Sequence, residues 1–212
     1  MSERPFFQDV VTSERELRAV LGQPSERARL KERTTLDGHC RAFIARSPFL
    51  LLATASAAGR CDVSPKGDPP GFVRVLDDTH LLIPDRPGNR RLDGMRNILE
   101  SGHAGVIFLV PGREETLRVN GRAWIVRDPD LLAALAVQGK RPVFGIGLEV
   151  EEAFFHCARA FMRSGLWQPA GWPAPEALPS MACVLWDQLP TRPAASLEEY
   201  EQESARGLRT LY

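Results

Sequence analysis

The sequence predicts a mostly β domain with flanking helices, an α+β fold centred on an antiparallel barrel of six or seven strands. Short apolar segments of strand length recur through the middle of the chain. Turns short enough for hairpins join most of them, which favours a closed or partly closed barrel. Strands and helices do not alternate as they do in a doubly wound parallel sheet.

The chain has 212 residues, 43% of them hydrophobic, which is enough for one sizeable core. We expect a single domain with three zones. Residues 1–47 form a helical, charged N-terminal extension, and residues 48–167 form the barrel core. Residues 168–212 are rich in proline and form a tail that wraps over its own barrel or over a partner subunit.

Capping signals predict three helices in the N-terminal extension. Ser13 and Glu16 form a capping box, and Gly22 is suited to the C-cap of the helix that follows. Two further helices are predicted, one opening at residues 24–25 and a short one within residues 37–46. A last helix is expected in the tail, near residues 196–206.

Alternating and apolar segments predict the strands of the barrel. They lie at residues 49–55, 71–76, 80–84, 105–110, 116–126 and 143–149. Helical segments at 90–100 and 129–136 interrupt them. The stretch 64–71 contains too much proline and glycine for a central strand, so we expect a loop there.

Composition excludes several classes of function. Lys and Arg number 27, as do Asp and Glu, so the formal net charge is zero. A general nucleic-acid or membrane-surface binder would carry a basic excess. No apolar run approaches the ~20 residues of a membrane span, and residues 1–10 lack the apolar segment of a secretory signal. We expect a cytoplasmic protein with neither nucleic-acid nor membrane partners.

The sequence predicts neither a metal site nor a hydrolytic triad. The four cysteines form no Cys-x-x-Cys pair. In His39-Cys40 and His156-Cys157 the neighbouring side chains diverge on a helix or a strand, so neither pair is a good chelate. No Gly-x-Ser-x-Gly motif is present either.

The most informative stretch for function contains adjacent arginines. Asn89 is suited to an N-cap, which would place Arg90 and Arg91 in the first turn of a helix. Cations are disfavoured there by ~0.3–1 kcal/mol each, and a bound phosphate would remove the conflict. Two interpretations stay open: a phosphate site, or arginines that point into solvent or pair with a neighbouring aspartate.

Two other segments offer polar groups. One face of the predicted strand 116–126 is either a solvated surface or the lining of a ligand groove, and it carries Thr116, Arg118, Asn120 and Arg122. Lys66 adds a cation where the chain bends, with a plain loop as the alternative. Periodicity does not decide between these interpretations.

The order of these motifs resembles that of the pyridoxamine 5′-phosphate oxidase-like FMN-binding proteins over about residues 40–170. The matching motifs lie at positions 49–55, 64–68, 83–86, 88–91, 97–98, 118–121, 151–157 and 163–167. The resemblance implies an FMN-binding split β-barrel. It also implies a homodimer with FMN at the subunit interface.

The resemblance also implies cofactor contacts. The family's Ser-Arg-Lys at the FMN phosphate corresponds here to Gly88-Asn89-Arg90, and its Gln-Val-Arg-Val at the flavin ring to Thr116-Leu117-Arg118-Val119. We therefore predict three groups of FMN-binding residues. They are Lys66, Arg86, Asn89, Arg90 and Arg91 around the phosphate, Thr116 and Arg118 at the isoalloxazine edge, and Arg163, Ser164 and Trp167 closing the site.

The tail departs from the family's pattern. It lacks the C-terminal Trp-x-x-x-Arg-Leu that contributes to the substrate site of true pyridoxamine 5′-phosphate oxidases. We expect an FMN-dependent oxidoreductase that acts on an unidentified small substrate, with no essential acid or base from the protein. The alternatives are a nicotinamide-dependent flavin or nitro reductase, and a flavin-binding or sensing protein without turnover.

Overall fold

The computed structural model describes residues 6–209 and Tyr212. Within them the strands are β1 (Phe49–Ala55), β2 (Cys61–Gly67), β3 (Arg74–Val75), β4 (His80–Pro84), β5 (His103–Leu109), β6 (Thr116–Val126) and β7 (Gly145–His156). The helices are α1 (Glu14–Leu21), α2 (Glu26–Leu30), α3 (Gly38–Ile44), α4 (Asp93–Ser101), α5 (Pro129–Ala133), α6 (Arg159–Ser164), α7 (Met181–Gln188) and α8 (Leu197–Gly207). None of the described helices is both long enough and apolar enough to span a membrane.

The strands form one antiparallel sheet in the order β2-β1-β5-β6-β7-β4-β3. This is the seven-stranded split barrel with flanking helices that the sequence predicts. Sequential hairpins β1–β2 and β5–β6 account for part of the order. The long strand β7 joins the two halves, because it pairs with β6 on one side and with β4 on the other.

Alternate residues of the strands build the core of the barrel. On β6, Leu117, Val119 and Ala123 lie inside and are at most 2% exposed, as the alternation predicts. They pack against Leu50 of β1 and Phe108 of β5, which are completely buried. The opposite face of β6 is polar and lies on the outside of the barrel.

A close approach of two backbones requires glycine at one position of β6. The register with β7 shifts between Asn120 and Gly121. A Cβ atom at Gly121 would lie 1.8 Å from the carbonyl oxygen of Glu149, so no larger residue fits without moving the strands.

The predicted Ser13 cap of α1 is confirmed, and α2, α3 and α8 also form at the positions that the sequence predicts. The hydroxyls of Ser13, Ser25 and Ser196 accept from backbone N–H groups in the first turns of α1, α2 and α8. Asp37 does the same for α3. Local sequence therefore sets where these helices begin, even where the helix buries none of its residues.

Several predictions of secondary structure were wrong. A loop was expected at residues 64–71, but residues 61–67 form strand β2. Pro65 is compatible with this strand because β2 lies at an edge of the sheet. The strand expected at 71–76 is reduced to two residues, and β7 extends well beyond 149. The fourth helix begins at Asp93, later than predicted, while α6 and α7 were not predicted at all.

Candidate functional site

A cleft of about 630 Å³ opens between strand β2 and the loop that connects β4 to α4. We call this connection, residues 85–92, the arginine loop. The cleft is closed at its base by Leu52 of β1 and by the segment that leads into β7. The predicted phosphate residues all line it, namely Lys66, Arg86, Asn89, Arg90 and Arg91.

Strand pairing brings the two walls together. On one wall Lys66 lies near the end of β2, opposite Leu50 of β1. On the other wall the arginine loop leaves the sheet directly after Pro84, which pairs with Gly145 of β7. The backbone N–H of Asp85 donates to the carbonyl oxygen of Phe144 at 3.1 Å and fixes the start of the loop.

The arginine loop is not the helix start that the sequence predicted. Arg90 and Leu92 adopt left-handed conformations, with φ of 59° and 61°, and α4 begins only at Asp93. Asn89 caps a turn instead, since its Oδ1 accepts from the backbone N–H of Arg91 at 3.1 Å. The arginines therefore precede the helix, and the argument from cations in its first turn does not apply.

Left-handed backbone at non-glycine residues is uncommon and costs free energy, of order 1–3 kcal/mol per residue. Arg90 and Leu92 both carry this cost. A left-handed residue between ordinary ones also turns successive backbone N–H groups toward one point, the arrangement of many anion sites. The loop therefore combines strained backbone with cationic side chains on the wall of a cleft.

The arginines of the loop differ in their partners. Arg91 Nε donates to Asp93 Oδ2 at 2.7 Å, in an exposed ion pair. Arg90 is exposed and forms no salt bridge within the part of the chain that the structure describes. It is therefore the arginine whose full charge is available to a ligand.

Arg86 has internal partners. Its Nε donates to Asp68 Oδ2 at 2.5 Å, and its Nη2 donates to the carbonyl oxygen of Leu135 at 2.8 Å. The two side chains of this ion pair are only 15% and 0% exposed. Arg86 lines the cleft, but its hydrogen bonds to Asp68 and Leu135 hold the loop in place.

Acidic side chains missed by the sequence analysis also face the cleft. Burial raises the pKa of Asp85 above its ordinary value, and the nearby Lys66 ammonium partly offsets this. Asp62 Oδ2 is buried and has no hydrogen-bond partner among the described residues. The alternation Asp62-x-Ser64-x-Lys66 was the available signal, because these residues share the half-buried face of β2.

Thr116 and Arg118 lie elsewhere on the chain. Arg118 is on the outer face of β6, opposite Phe154, toward the end of β7 that is remote from the arginine loop. Its Nη2 donates to Glu152 Oε1 at 2.6 Å, and its guanidinium lies 4.2 Å from the centre of the Phe154 ring. Thr116 is buried, at 6% exposure. Within one chain the structure does not bring these residues to the cleft.

The outer face around Arg118 contains unsatisfied polar atoms. Arg118 Nε and His156 Nε2 are buried, and neither finds a hydrogen-bond partner in the described structure. Burial lowers the pKa of His156, and the positive charges of Arg118 and Lys31 lower it further. Buried polar atoms normally have hydrogen-bond partners, so these two atoms are exceptions among the described residues.

The third group of predicted residues also lies outside the cleft. Arg163 and Ser164 are exposed on α6, and the Ser164 hydroxyl donates to the carbonyl oxygen of Phe161 at 3.0 Å. Trp167 stacks on the Phe161 ring at 5.6 Å, and its Nε1 donates to the carbonyl oxygen of Arg113. Their assignment to the cofactor stays a prediction.

Comparison with known proteins supplies the family. The family described as pyridoxamine 5′-phosphate oxidase matches residues 36–157 of this chain. No curated protein matches. Among the described residues, no cluster of three or more His, Cys, Asp or Glu side chains is arranged to hold a metal ion.

Solved structures with similar folds cover little more than half of this chain. The HupZ protein of Group A Streptococcus is 21% identical, with a TM-score of 0.45 over 56% of this chain and 92% of that chain. A putative pyridoxamine 5′-phosphate oxidase from Lactobacillus delbrueckii is 24% identical, with a TM-score of 0.45 over 57% and 95%. An FMN-binding protein from Syntrophomonas wolfei is 11% identical, with a TM-score of 0.45 over 55% and 83%.

Proposed function

The chain belongs to the pyridoxamine 5′-phosphate oxidase family, and on that premise we propose that it binds FMN with the phosphate in the arginine-loop cleft. The observation that carries the proposal is the convergence of Lys66, Arg90 and Arg91 on one cleft from two separate parts of the chain. A phosphate monoester carries close to two negative charges at neutral pH and accepts several charge-assisted hydrogen bonds.

The residues present fit this group. Arg90 has no carboxylate partner among the described residues, and Lys66 lines the same cleft from β2. The cleft volume of about 630 Å³ lies within the range of ordinary ligand pockets, roughly 300–1,000 Å³. When bound, FMN would supply the redox chemistry, and the side chains of the cleft would anchor and orient it.

We further propose a homodimer with FMN at the subunit interface. Arg118 and Thr116 lie far from the phosphate cleft of their own chain, so a second subunit would have to supply them. Arg118 Nε and His156 Nε2 are buried without hydrogen-bond partners among the described residues. This supports the proposal that a second subunit covers the outer face of β6. With a flavin bound there, the protein would act as an oxidoreductase on a small molecule.

The first experiment is a titration of the apoprotein with FMN and with riboflavin. We expect much tighter binding of FMN, because only FMN has the phosphate that the arginine loop would hold. Equal affinity for the two flavins would contradict the phosphate site. Consumption of an electron donor by the yellow protein would support an enzyme, whereas stoichiometric flavin without turnover would indicate a binding protein.

Arg90→Ala tests the loop directly. The variant should weaken FMN binding by about 2–3 kcal/mol, the range for a charged hydrogen bond to phosphate, with riboflavin binding unchanged. Arg127→Ala is the matched control, since Arg127 is exposed in the turn between β6 and α5 and does not line the cleft. Calorimetry measures the FMN affinity of each variant. If both variants bind FMN as tightly as the parent protein, the phosphate is bound elsewhere.

A further inference from the structure

The arginine loop is held by a hydrogen-bonded clamp whose members are Asp68, Arg86 and Tyr212. Asp68 has a fully buried side chain, and its Oδ2 accepts from Arg86 Nε at 2.5 Å. Its other oxygen, Oδ1, accepts from the hydroxyl of Tyr212. Both carboxylate oxygens are thus engaged, as a buried charge requires.

Tyr212 makes two further contacts beside its hydrogen bond to Asp68. Its ring lies 5.5 Å from the Arg86 guanidinium, and its carbonyl oxygen accepts from Lys140 Nζ at 2.6 Å. The hydrogen bond to Asp68 raises the pKa of the Tyr212 hydroxyl above its ordinary value. Hydroxyl, ring and backbone of Tyr212 therefore all make contacts around the same ion pair.

The clamp connects the two walls of the cleft. Asp68 comes shortly after Lys66 at the end of β2, while Arg86 opens the loop that carries Arg90. The loop between Asp85 and Asp93 belongs to neither a helix nor a strand. The side-chain hydrogen bonds of Arg86 therefore connect this loop to the segment that follows Lys66.

We propose that Tyr212 is a positioning residue for the phosphate site, acting through Asp68 and Arg86. The inference rests on the proposed function. Without the hydroxyl, Asp68 Oδ1 loses its donor inside the protein, so the carboxylate and Arg86 would move toward other partners or toward water. The loop would then hold Arg90 less firmly opposite Lys66. Tyr212 itself would not contact the phosphate.

Tyr212→Phe removes the hydroxyl and keeps the ring over Arg86. We expect FMN affinity to fall about tenfold, the effect of one lost hydrogen bond to a charged group, with riboflavin affinity unchanged. Tyr200→Phe is the matched control, because Tyr200 lies on α8 and leaves the clamp intact. Asp68→Asn should give a loss at least as large, again for FMN alone.

The ratio of FMN to riboflavin affinity separates positioning from general stability. Equal losses for both flavins in Tyr212→Phe, or no loss for either, would overturn the inference while leaving the phosphate site in place. Equal binding of FMN and riboflavin by the parent protein would overturn the phosphate site and the role of Tyr212 together. Thermal unfolding of each variant, with and without FMN, confirms that the proteins compared are folded.

Discussion

The barrel and the N-terminal helix α1 have equally clear apolar patterns, but only the barrel buries its pattern. Leu50, Phe108 and Leu117 of the barrel are completely buried. In α1, Val20 and Leu21 are 85% and 77% exposed, and no residue of the helix is buried. An apolar stripe and a good cap predict that a helix forms, but they do not say what covers it. The hydrophobic core of the barrel is complete within the chain, and we propose that the apolar stripe of α1 is covered only in the assembly.

Two phenylalanines provide the strongest test of this contrast. Phe108→Ala should lower the free energy of unfolding by about 3–5 kcal/mol, because it opens a cavity in a fully packed core. Phe7→Ala removes the same atoms from a side chain that is 71% exposed. It should change the free energy of unfolding by less than about 0.5 kcal/mol. Urea unfolding measures both. Similar losses in the two variants would mean that the N-terminal segment is packed in solution.

The backbone contact at Gly121 is the next largest effect. Gly121→Ala would force a methyl group to within 1.8 Å of the Glu149 carbonyl oxygen, which lies on a strand and cannot rotate away. We expect a loss of about 3 kcal/mol, at the upper end of the range for overpacking. Gly207→Ala in α8 is the control, since a Cβ there meets nothing within 4 Å. Full stability in Gly121→Ala would show that the bulge between β6 and β7 can slide.

The fold was largely predictable because its signals are local. The alternation in β6 gave its bounds without error, and local signals such as the capping box at Ser13 indicated where α1, α2, α3 and α8 lie. The errors in secondary structure arose where the position of a strand in the sheet decides whether a residue is tolerated. Pro65 argues against a central strand, and only the strand order shows that β2 is an edge where proline is tolerated.

The candidate site was predictable in composition more than in geometry. The sequence brought Lys66 and the arginines of the loop to one site, and the cleft contains them all. It did not show that Asp68 holds Arg86, because this ion pair joins separate segments that only the fold brings together. It also gave Asn89 the role of an N-cap, whereas the left-handed backbone at Arg90 and Leu92 delays the helix to Asp93.

The outer face of the barrel around His156 is neither fully buried like the core nor exposed like α1. The pH dependence of stability tests whether His156 is buried there in solution. The folded chain holds the pKa of His156 below its ordinary value of 6.5. At pH values between 6.5 and the lower pKa of the folded state, His156 binds more protons in the unfolded chain than in the folded one. Stability should therefore fall as the pH drops from about 7 through this window, and His156→Gln should remove that part of the slope.

The control for this pH dependence is His103→Gln, because His103 is exposed and lies on β5 away from Arg118. Urea unfolding at several pH values gives the slope for each variant. A slope in His156→Gln equal to that of the parent protein would assign the pH dependence to other groups. A slope that vanishes at high protein concentration would instead indicate that a second subunit covers His156.

The smallest effect on a single chain is expected in α1, at Leu21→Ala. Alanine favours helix at least as well as leucine, so α1 should still form behind its Ser13 cap. Since Leu21 is 77% exposed, the unfolding free energy of a dilute chain should change by less than about 0.5 kcal/mol.

Self-association should respond more, because an apolar stripe of this kind contributes to stability only where another surface covers it. Sedimentation of Leu21→Ala beside Arg15→Ala, a charged residue of the same helix, measures the difference. Identical association in both variants and the parent would remove α1 from the subunit interface, and a large loss of stability in the dilute chain would show that the helix packs on its own barrel.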